Sequence, residues 1–459
     1  MAKHNQKAIK KALKGVVVLA MALSLLFTFT SCNLIHSGDS TPNGQNNPQT
    51  DKAPEVNIDD KLDLPAYIQE LIQLDEVFKY YSHDGIDETA MKVAILKAYI
   101  EATGDIYAEY MTAEEYEAYF SDRSGNFVGI GVSVVDSQIE INGFKYGVLE
   151  IVSVFKDSPA LEGGVMVGDC VVYVGGGEER ELVDKLGYNA SVDKMLGEEG
   201  TNAEFTVFRP KPNGEYEEIE FSITRRKVVS ESVTYRISST DSRVGIVHIS
   251  GFDDTTPKQF CAAVDALKAQ KCEYFVFDVR NNPGGGLDSI ETVLSYFLDK
   301  GDLIVSTEYS DALKSYNYSD YVREKRYSAP YEGLNVTAKD IGKYKDLKCI
   351  VLTNGSTASA GELFTATFRD YGLAKIVGTT TYGKGCMQTL FPLDEYGIEG
   401  GLKLTVAMYF SVSHTDYHGI GIKPDIEVEL SEDAKKYNFF LLPEEMDDQL
   451  LTAISELTK

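Results

Sequence analysis

Apolar and polar residues follow three different periods in succession along this chain. Between Leu62 and Phe120 apolar residues recur at helical spacing: Ile68, Leu71, Ile72 and Phe78 form one stripe, and Met91, Ala94, Ile95 and Tyr99 another. From Phe127 the period falls towards two. Short β-rich runs (GIGVSVV, GVLEIVSVF, CVVYVG, EFTVFRP, IEFSITRR) are separated by turn-forming stretches such as SPALEGGV and MLGEEG. From Arg243 apolar strands (VGIVHI, YFVFDVR, KCIVLTN, AKIVGT) alternate with helical stretches (PKQFCAAVDALKAQ, LDSIETVLSYFL, ASAGELFTATFRDYG). That alternation predicts βαβ units on a largely parallel sheet, with functional loops at the C-terminal ends of the strands. The pattern therefore predicts a multidomain α+β protein: a helical segment over 61–124, a β-rich domain over 125–228 and an α/β core over 229–459. A Tyr-, Ser- and charge-rich stretch over 299–344 is too long for a bare connection and reads as an insertion in that core.

The N-terminus adds an address. Five lysines (Lys3, Lys7, Lys10, Lys11, Lys14) precede the uncharged apolar run Gly15 to Thr30, which is short for a membrane span and suits a signal peptide over 1–31. Phe29-Thr30-Ser31-Cys32 resembles a lipobox, with Phe29 where Leu is usual, and predicts acylation of Cys32. Residues 32–60 then form a polar, flexible tether. The expectation is an exported, membrane-anchored lipoprotein of the cell envelope; a plain signal peptide or an uncleaved anchor would also put the folded part outside the cytoplasm.

The formal net charge of -27 repels phosphate backbones and argues against nucleic-acid binding. Beyond Cys32 there remain Cys170, Cys261, Cys272, Cys349 and Cys386, with no CxxC pairing, and most read as small core residues. Neither zinc-ligand spacing nor HExxH is present, so no metal or cofactor is implied.

Two segments of the α/β core carry candidate chemistry. The first, Asn354-Gly-Ser-Thr-Ala-Ser359-Ala-Gly-Glu362, follows a predicted strand and opens an amphipathic helix. Ser359 would sit at the helix N-terminus, where N–H groups and the dipole stabilise negative charge. Such a run serves most often as an N-cap. The second, Thr381-Tyr-Gly-Lys384-Gly-Cys-Met-Gln388, holds a lysine between two glycines and lacks phosphate-loop spacing. Alone it reads as a surface hairpin. A serine needs a base, and a lysine serves only when burial or nearby charge brings its pKa towards neutrality. Of the six histidines, His4 and His36 lie in the leader and tether, His83 in the helical segment, His248 in a strand, and His414 and His418 in a polar loop. None stands in a triad-like context, which makes a Ser–Lys dyad the economical mechanism.

These segments resemble the carboxyl-terminal processing, or tail-specific, proteases. In that family a SASASE-like turn supplies the serine, and an FGKG-x-x-Q-like segment supplies the lysine 25 residues later, as Ser359 and Lys384 stand here. Gln388 occupies the position of the residue that orients the lysine, and Glu362 the acidic position three after the serine. Asp278-Val-Arg280-Asn-Asn282-Pro-Gly-Gly285 matches the DLRxNPGG motif, which implies an oxyanion hole from the Gly285 and Ala360 N–H groups. Gly129-Ile130-Gly131-Val132, Ser158-Pro-Ala160, Gly168-Asp169 and MLGEEGT resemble a PDZ domain, which would take a peptide C-terminus as an added strand. Ile106-Tyr107, Tyr110 and Gly421-Ile-Lys-Pro-Asp425 also fit the family. The SASASE turn reads Thr357-Ala-Ser359-Ala-Gly361-Glu362, and Cys386 follows GKG, but no proposed catalytic group is lost.

The resemblance implies a serine endopeptidase acting on polypeptides recruited by their C-termini, with helical terminal segments able to support a homodimer. The competing expectations are a catalytically idle, PDZ-bearing binding scaffold and a hydrolase that uses His414 or His418.

Overall fold

The computed structural model describes residues 65–459, apart from 84, 124–125, 142 and 212–213. The expected signal peptide, the tether and Cys32 lie outside the described residues. Three helices come first: α1 (Ala66–Tyr81), α2 (Glu88–Ala102) and α3 (Ala113–Arg123). Asp87 caps α2, its carboxylate accepting from Thr89 N and Ala90 N at 3.0 Å. This part is not purely helical. Strand β1 (Glu109–Met111) pairs antiparallel with a strand of the core nearly 300 residues later, a tertiary pairing for which three residues carry no local periodicity.

The β-rich domain contains β2 (Asn126–Gly129), β3 (Val132–Ile141), β4 (Phe144–Val154), β5 (Cys170–Val174), β6 (Glu181–Leu182), β7 (Asn202–Pro210), β8 (Tyr216–Thr224) and β9 (Arg226–Val229). Short helices α4 (Pro159–Gly163), α5 (Val183–Leu186) and α6 (Tyr188–Met195) pack between them. The main sheet is antiparallel in the order β3-β4-β5-β7-β8, which leaves β3 at an edge. Leu149, Ile151, Val171, Phe205, Val207 and Ile223 pack beneath it, as period-two patterning requires.

The core sheet runs β10 (Val233–Ile237), β11 (Val244–Ile249), β12 (Tyr274–Asp278), β15 (Lys348–Thr353), β16 (Ala374–Gly378) and β19 (Ile426–Glu427). Only the β10–β11 pairing is antiparallel; the other four are parallel. Both faces are covered, so its strands are apolar throughout. Val247, Ile249, Phe275, Phe277, Val351 and Ile376 face α7 (Thr256–Ala269), α8 (Leu287–Ser295) and α9 (Ala360–Asp370). Val244, Ile246, Val276, Ile350, Leu352 and Val377 face α10 (Asp448–Leu457).

A second, antiparallel sheet is woven from β1, β13 (Leu303–Tyr309), β14 (Ser319–Tyr321), β17 (Cys386–Pro392) and β18 (Gly401–Phe410). The stretch 299–344, expected as an insertion, contributes β13 and β14 to this sheet, bonded through β13 to β18. Within it, Lys325 pairs with both Glu291 of α8 and Asp320 of β14.

Candidate active site

Parallel pairing of β12, β15 and β16 places their C-terminal ends at one edge of the sheet. The three loops that leave there carry Gly285, Ser359 and Lys384, which is why residues distant in sequence meet. Ser359 opens α9 with φ 52° and ψ −120°, a backbone that non-glycine residues adopt only when their surroundings enforce it. Asn282 O accepts from Ala358 N at 2.8 Å, and Thr357 Oγ1 donates to Val279 O at 2.8 Å, so the β12 loop holds the Ser359 turn. Asn282 itself is pinned by Ile249 O and Gly284 N, both at 2.8 Å. The approach is close enough to exclude a side chain at Gly284 (φ 115°): a Cβ there would lie 2.6 Å from Ser359 Cβ.

Phe252 bonds Gly284 O and Gly286 N, which turns the intervening Gly285 N–H to the opposite face of the loop. Ala360 is the first residue of α9, where the N–H has no acceptor within the helix. The expected oxyanion donors thus flank the Ser359 turn.

Glu362, fully buried on α9, joins two of the loops. Its carboxylate accepts from Ser359 N at 3.0 Å, Lys384 N at 2.6 Å, Gly383 N at 2.7 Å and Thr381 Oγ1 at 2.5 Å. Burial pushes its carboxyl up from the ordinary range, while those four donors oppose the shift.

Lys384 is buried, and burial pulls its ammonium down to about 8. Lys403 pushes the same way, whereas Cys386, Glu362 and Asp105 oppose it. The Tyr107 ring covers Nζ, with its centroid 4.8 Å away. Tyr409 Oη, also buried, donates to Lys384 O at 2.7 Å, which fixes the lysine loop to β18. Gln388, also buried, donates from Nε2 to Cys386 Sγ and to Thr405 Oγ1, both at 3.2 Å. Thr405 in turn donates to Asp105 from N and from Oγ1, each at 3.0 Å.

These loops open on a cleft of 1180 Å³ between the core and the β-rich domain. Lys384, Gln388 and Ala358 line its floor, Tyr107 and Tyr382 one wall, and residues 135–139 of β3 another. The Gly129–Val132 stretch lies beyond this cleft. Gly131 has φ 80°, and a Cβ there would lie 2.5 Å from Ser158 Cβ. Ile130 O and Gly131 O accept from Ala160 N and Phe155 N, which fixes the turn that enters β3.

The profile of peptidase family S41 matches residues 243–428, the span that holds the three loops. A carboxy-terminal-processing protease of Bartonella bacilliformis is 31% identical over 73% of this chain and 70% of its own length. The chain belongs to peptidase family S41, the carboxy-terminal processing serine proteases. Carboxy-terminal processing protease CtpA of Bacillus subtilis is 28% identical over 91% of this chain and 76% of its own. The crystal structure of a Bacteroides fragilis protein assigned to the S41 proteases shares the fold, with 18% identity, a TM-score of 0.54, and coverage of 84% of this chain and 97% of that one.

In this S41 chain the structure gathers Ser359, Ala360, Glu362, Lys384, Gln388 and Gly285 at one sheet edge, and it keeps Gly129 to Val132 in the β-rich domain. His248 lies on β11 with its Nδ1 3.9 Å from Asp278. His418 is nearer the lysine loop than its polar setting suggests: its Cβ would touch a Cβ at Gly385, and its ring lies 6.3 Å from that of Tyr107. Sequence reasoning attached no role to Asp105, Gly284, Thr405 or Tyr409, and read Tyr107 only as part of a match. For Tyr107 a signal existed, an aromatic in a family-like stretch; the others depend on approach in space. Among the described residues no cluster suited to a metal ion is present, and no helix is long and apolar enough to cross a membrane.

Proposed function

We propose that this S41 protease is an exported, lipid-anchored endopeptidase that cleaves polypeptides recruited by their C-termini. Ser359 Oγ attacks the scissile carbonyl carbon while neutral Lys384 Nζ takes its proton. The N–H groups of Gly285 and Ala360 receive the oxyanion, and such donors are worth about 2.7–4 kcal/mol each. The C–N bond then breaks as Lys384 gives its proton to the leaving amine. Water, again deprotonated by Lys384, releases the acyl group from Ser359. Gln388 positions the lysine and Glu362 holds both loops. The observation that carries this reading is a buried lysine, shifted to about 8, on a loop that one carboxylate stitches to the Ser359 turn.

The β-rich domain is assigned as the PDZ domain over 125–228. In support, β3 is an edge strand able to accept an added strand, and the Gly129–Val132 turn leads into it. Residues 135–139, in the middle of β3, border the cleft, which suits delivery of a bound tail. Cys32 is assigned as the lipidated residue. Apolar residues that α1 exposes, Ile72, Leu74, Val77 and Phe78 among them, support a homodimer through this helix.

Cleavage of labelled casein by the full chain is the test. Ser359→Ala and Lys384→Ala are each expected to abolish turnover. Equal cleavage by wild type and Ser359→Ala would sink the dyad. An inactive wild type that still binds C-terminal peptides would favour the idle scaffold.

A further inference from the structure

We propose that the Asp105–Tyr107 turn is a positioning element of the active site: Tyr107 shields Lys384 from water, and Asp105 sets the orientation of Gln388 through Thr405. This rests on the reading of Lys384 as the base. Neither residue touches the scissile bond in the proposed reaction, so both act through other side chains.

The turn is anchored on the strand that backs the site. Just after it, Glu109 pairs with Lys403 in the β1–β18 register. Asp105 Oδ1 also accepts from Tyr107 N at 3.0 Å, and Asp105 O from Ala108 N at 3.1 Å, so the aspartate and the tyrosine move as one unit. A threonine hydroxyl has one proton. Because Thr405 Oγ1 donates it to Asp105, only its lone pairs face Gln388, which must then present Nε2 rather than Oε1 to β18. Without Asp105 the hydroxyl proton is free to turn to the glutamine, and the amide loses its reason to keep that orientation.

Tyr107 lies over Nζ and lines the cleft beside Tyr382 of the lysine's own loop. Its ring acts in two opposed ways. Exclusion of water disfavours the ammonium, whereas the π face stabilises it. Around Lys384 the other charged or titratable groups are Glu362 from α9, Cys386 on β17, Lys403 and Tyr409 from β18, and Asp105. His418, beside Tyr107, completes the set. Truncation and conservative replacement of Tyr107 therefore have opposite signs.

The experiment measures kcat and KM on labelled casein across pH for the full-length wild type, Tyr107→Ala, Tyr107→Leu, Asp105→Ala and Lys384→Ala. Tyr107→Ala admits water, and the acidic limb of kcat/KM is expected to move up by about one pH unit. The deficit at neutral pH then shrinks at high pH. Tyr107→Leu keeps the bulk and loses the π face, so its limb moves slightly down. Asp105→Ala lowers kcat about tenfold with KM unchanged. Loss that is equal at every pH in both Tyr107 variants, with an unmoved limb, would overturn the role of Tyr107. An unchanged kcat in Asp105→Ala would overturn that of Asp105. If Tyr107→Ala is too unstable to assay, the downward shift in Tyr107→Leu carries the test. Wild-type activity in Lys384→Ala would instead refute the base itself, a separate failure.

Discussion

Lys384 and Ser359 each owe their character to the residues around them. For the lysine, burial is the leading cause of the shift to about 8, and the consequence has a definite sign. In the proposed reaction the neutral amine is the base, so kcat/KM on casein is expected to rise with pH through about 8 and level off above it. A limb near pH 6 would point to a histidine instead. For the serine, the neighbour that matters is Gly284. An alanine there would drive its Cβ to 2.6 Å from Ser359 Cβ in a backbone with φ 115°. Gly284→Ala is expected to lower kcat/KM by about a hundredfold or more while circular dichroism stays native. The sequence motif offered Gly285 as an oxyanion donor, yet nothing in it distinguishes the adjacent Gly284. That need arises only where the loop from β12 meets the turn from β15.

Elements are held in register by buried ionic groups at their ends. Glu362 ties α9 to the lysine loop, and Glu362→Ala strands three N–H donors and a hydroxyl. Chemical denaturation is expected to show a loss of about 3 kcal/mol or more, with activity lost first. Arg280, at the end of β12, forms a bidentate pair with Asp278 at 2.9 and 2.7 Å and another with Asp447 before α10 at 2.9 and 2.8 Å. Removing Asp447 leaves the guanidinium short of a partner in the interior, and Asp447→Ala should cost about 3–5 kcal/mol. Glu444 gives a pH signature. Hydrogen bonds from Ser238, Arg236 and Thr240 outweigh burial and hold its carboxyl at about 2, below its ordinary 4.5. A depressed folded-state value means stability present above 4.5 and lost as pH falls towards 2. Denaturation midpoints of wild type should therefore drop across that window, and Glu444→Gln should flatten the fall. The strands of the core were legible because both faces are apolar; the helices α7 and α9 were legible from amphipathic spacing. These clamps were not, since a buried Glu and a surface Glu look alike in a sequence.

At the scale of the molecule, the proposed active site is assembled from all three parts of the chain. The first part supplies Asp105, Tyr107 and β1, the β-rich domain supplies one wall of the cleft, and the core supplies the loops of Ser359 and Lys384. Segment 436–441 closes the far side, where Asn438 Nδ2 donates to Glu150 Oε2 at 2.7 Å across to β4. The cysteines show the same closure. All five in the described residues are free thiols, and Cys170, Cys272, Cys349 and Cys386 are buried. Native protein treated with a maleimide is expected to label slowly at those four, and all should label at once after denaturation. Rapid native labelling of Cys386 would mean that the lysine loop opens readily.

The sequence by itself determined the order of parts, the alternation that builds the core sheet, and the residue types with the chemistry of a peptidase. Those are local matters of periodicity, turn chemistry and motif spacing. Only the tertiary structure decided that β1 and β13 belong to one sheet around β18. It also decided that Glu362 joins the Ser359 and Lys384 loops and that Tyr107 covers the lysine. Each of these is a contact between segments far apart in the chain, where burial and partner geometry, rather than residue identity, set what a side chain does.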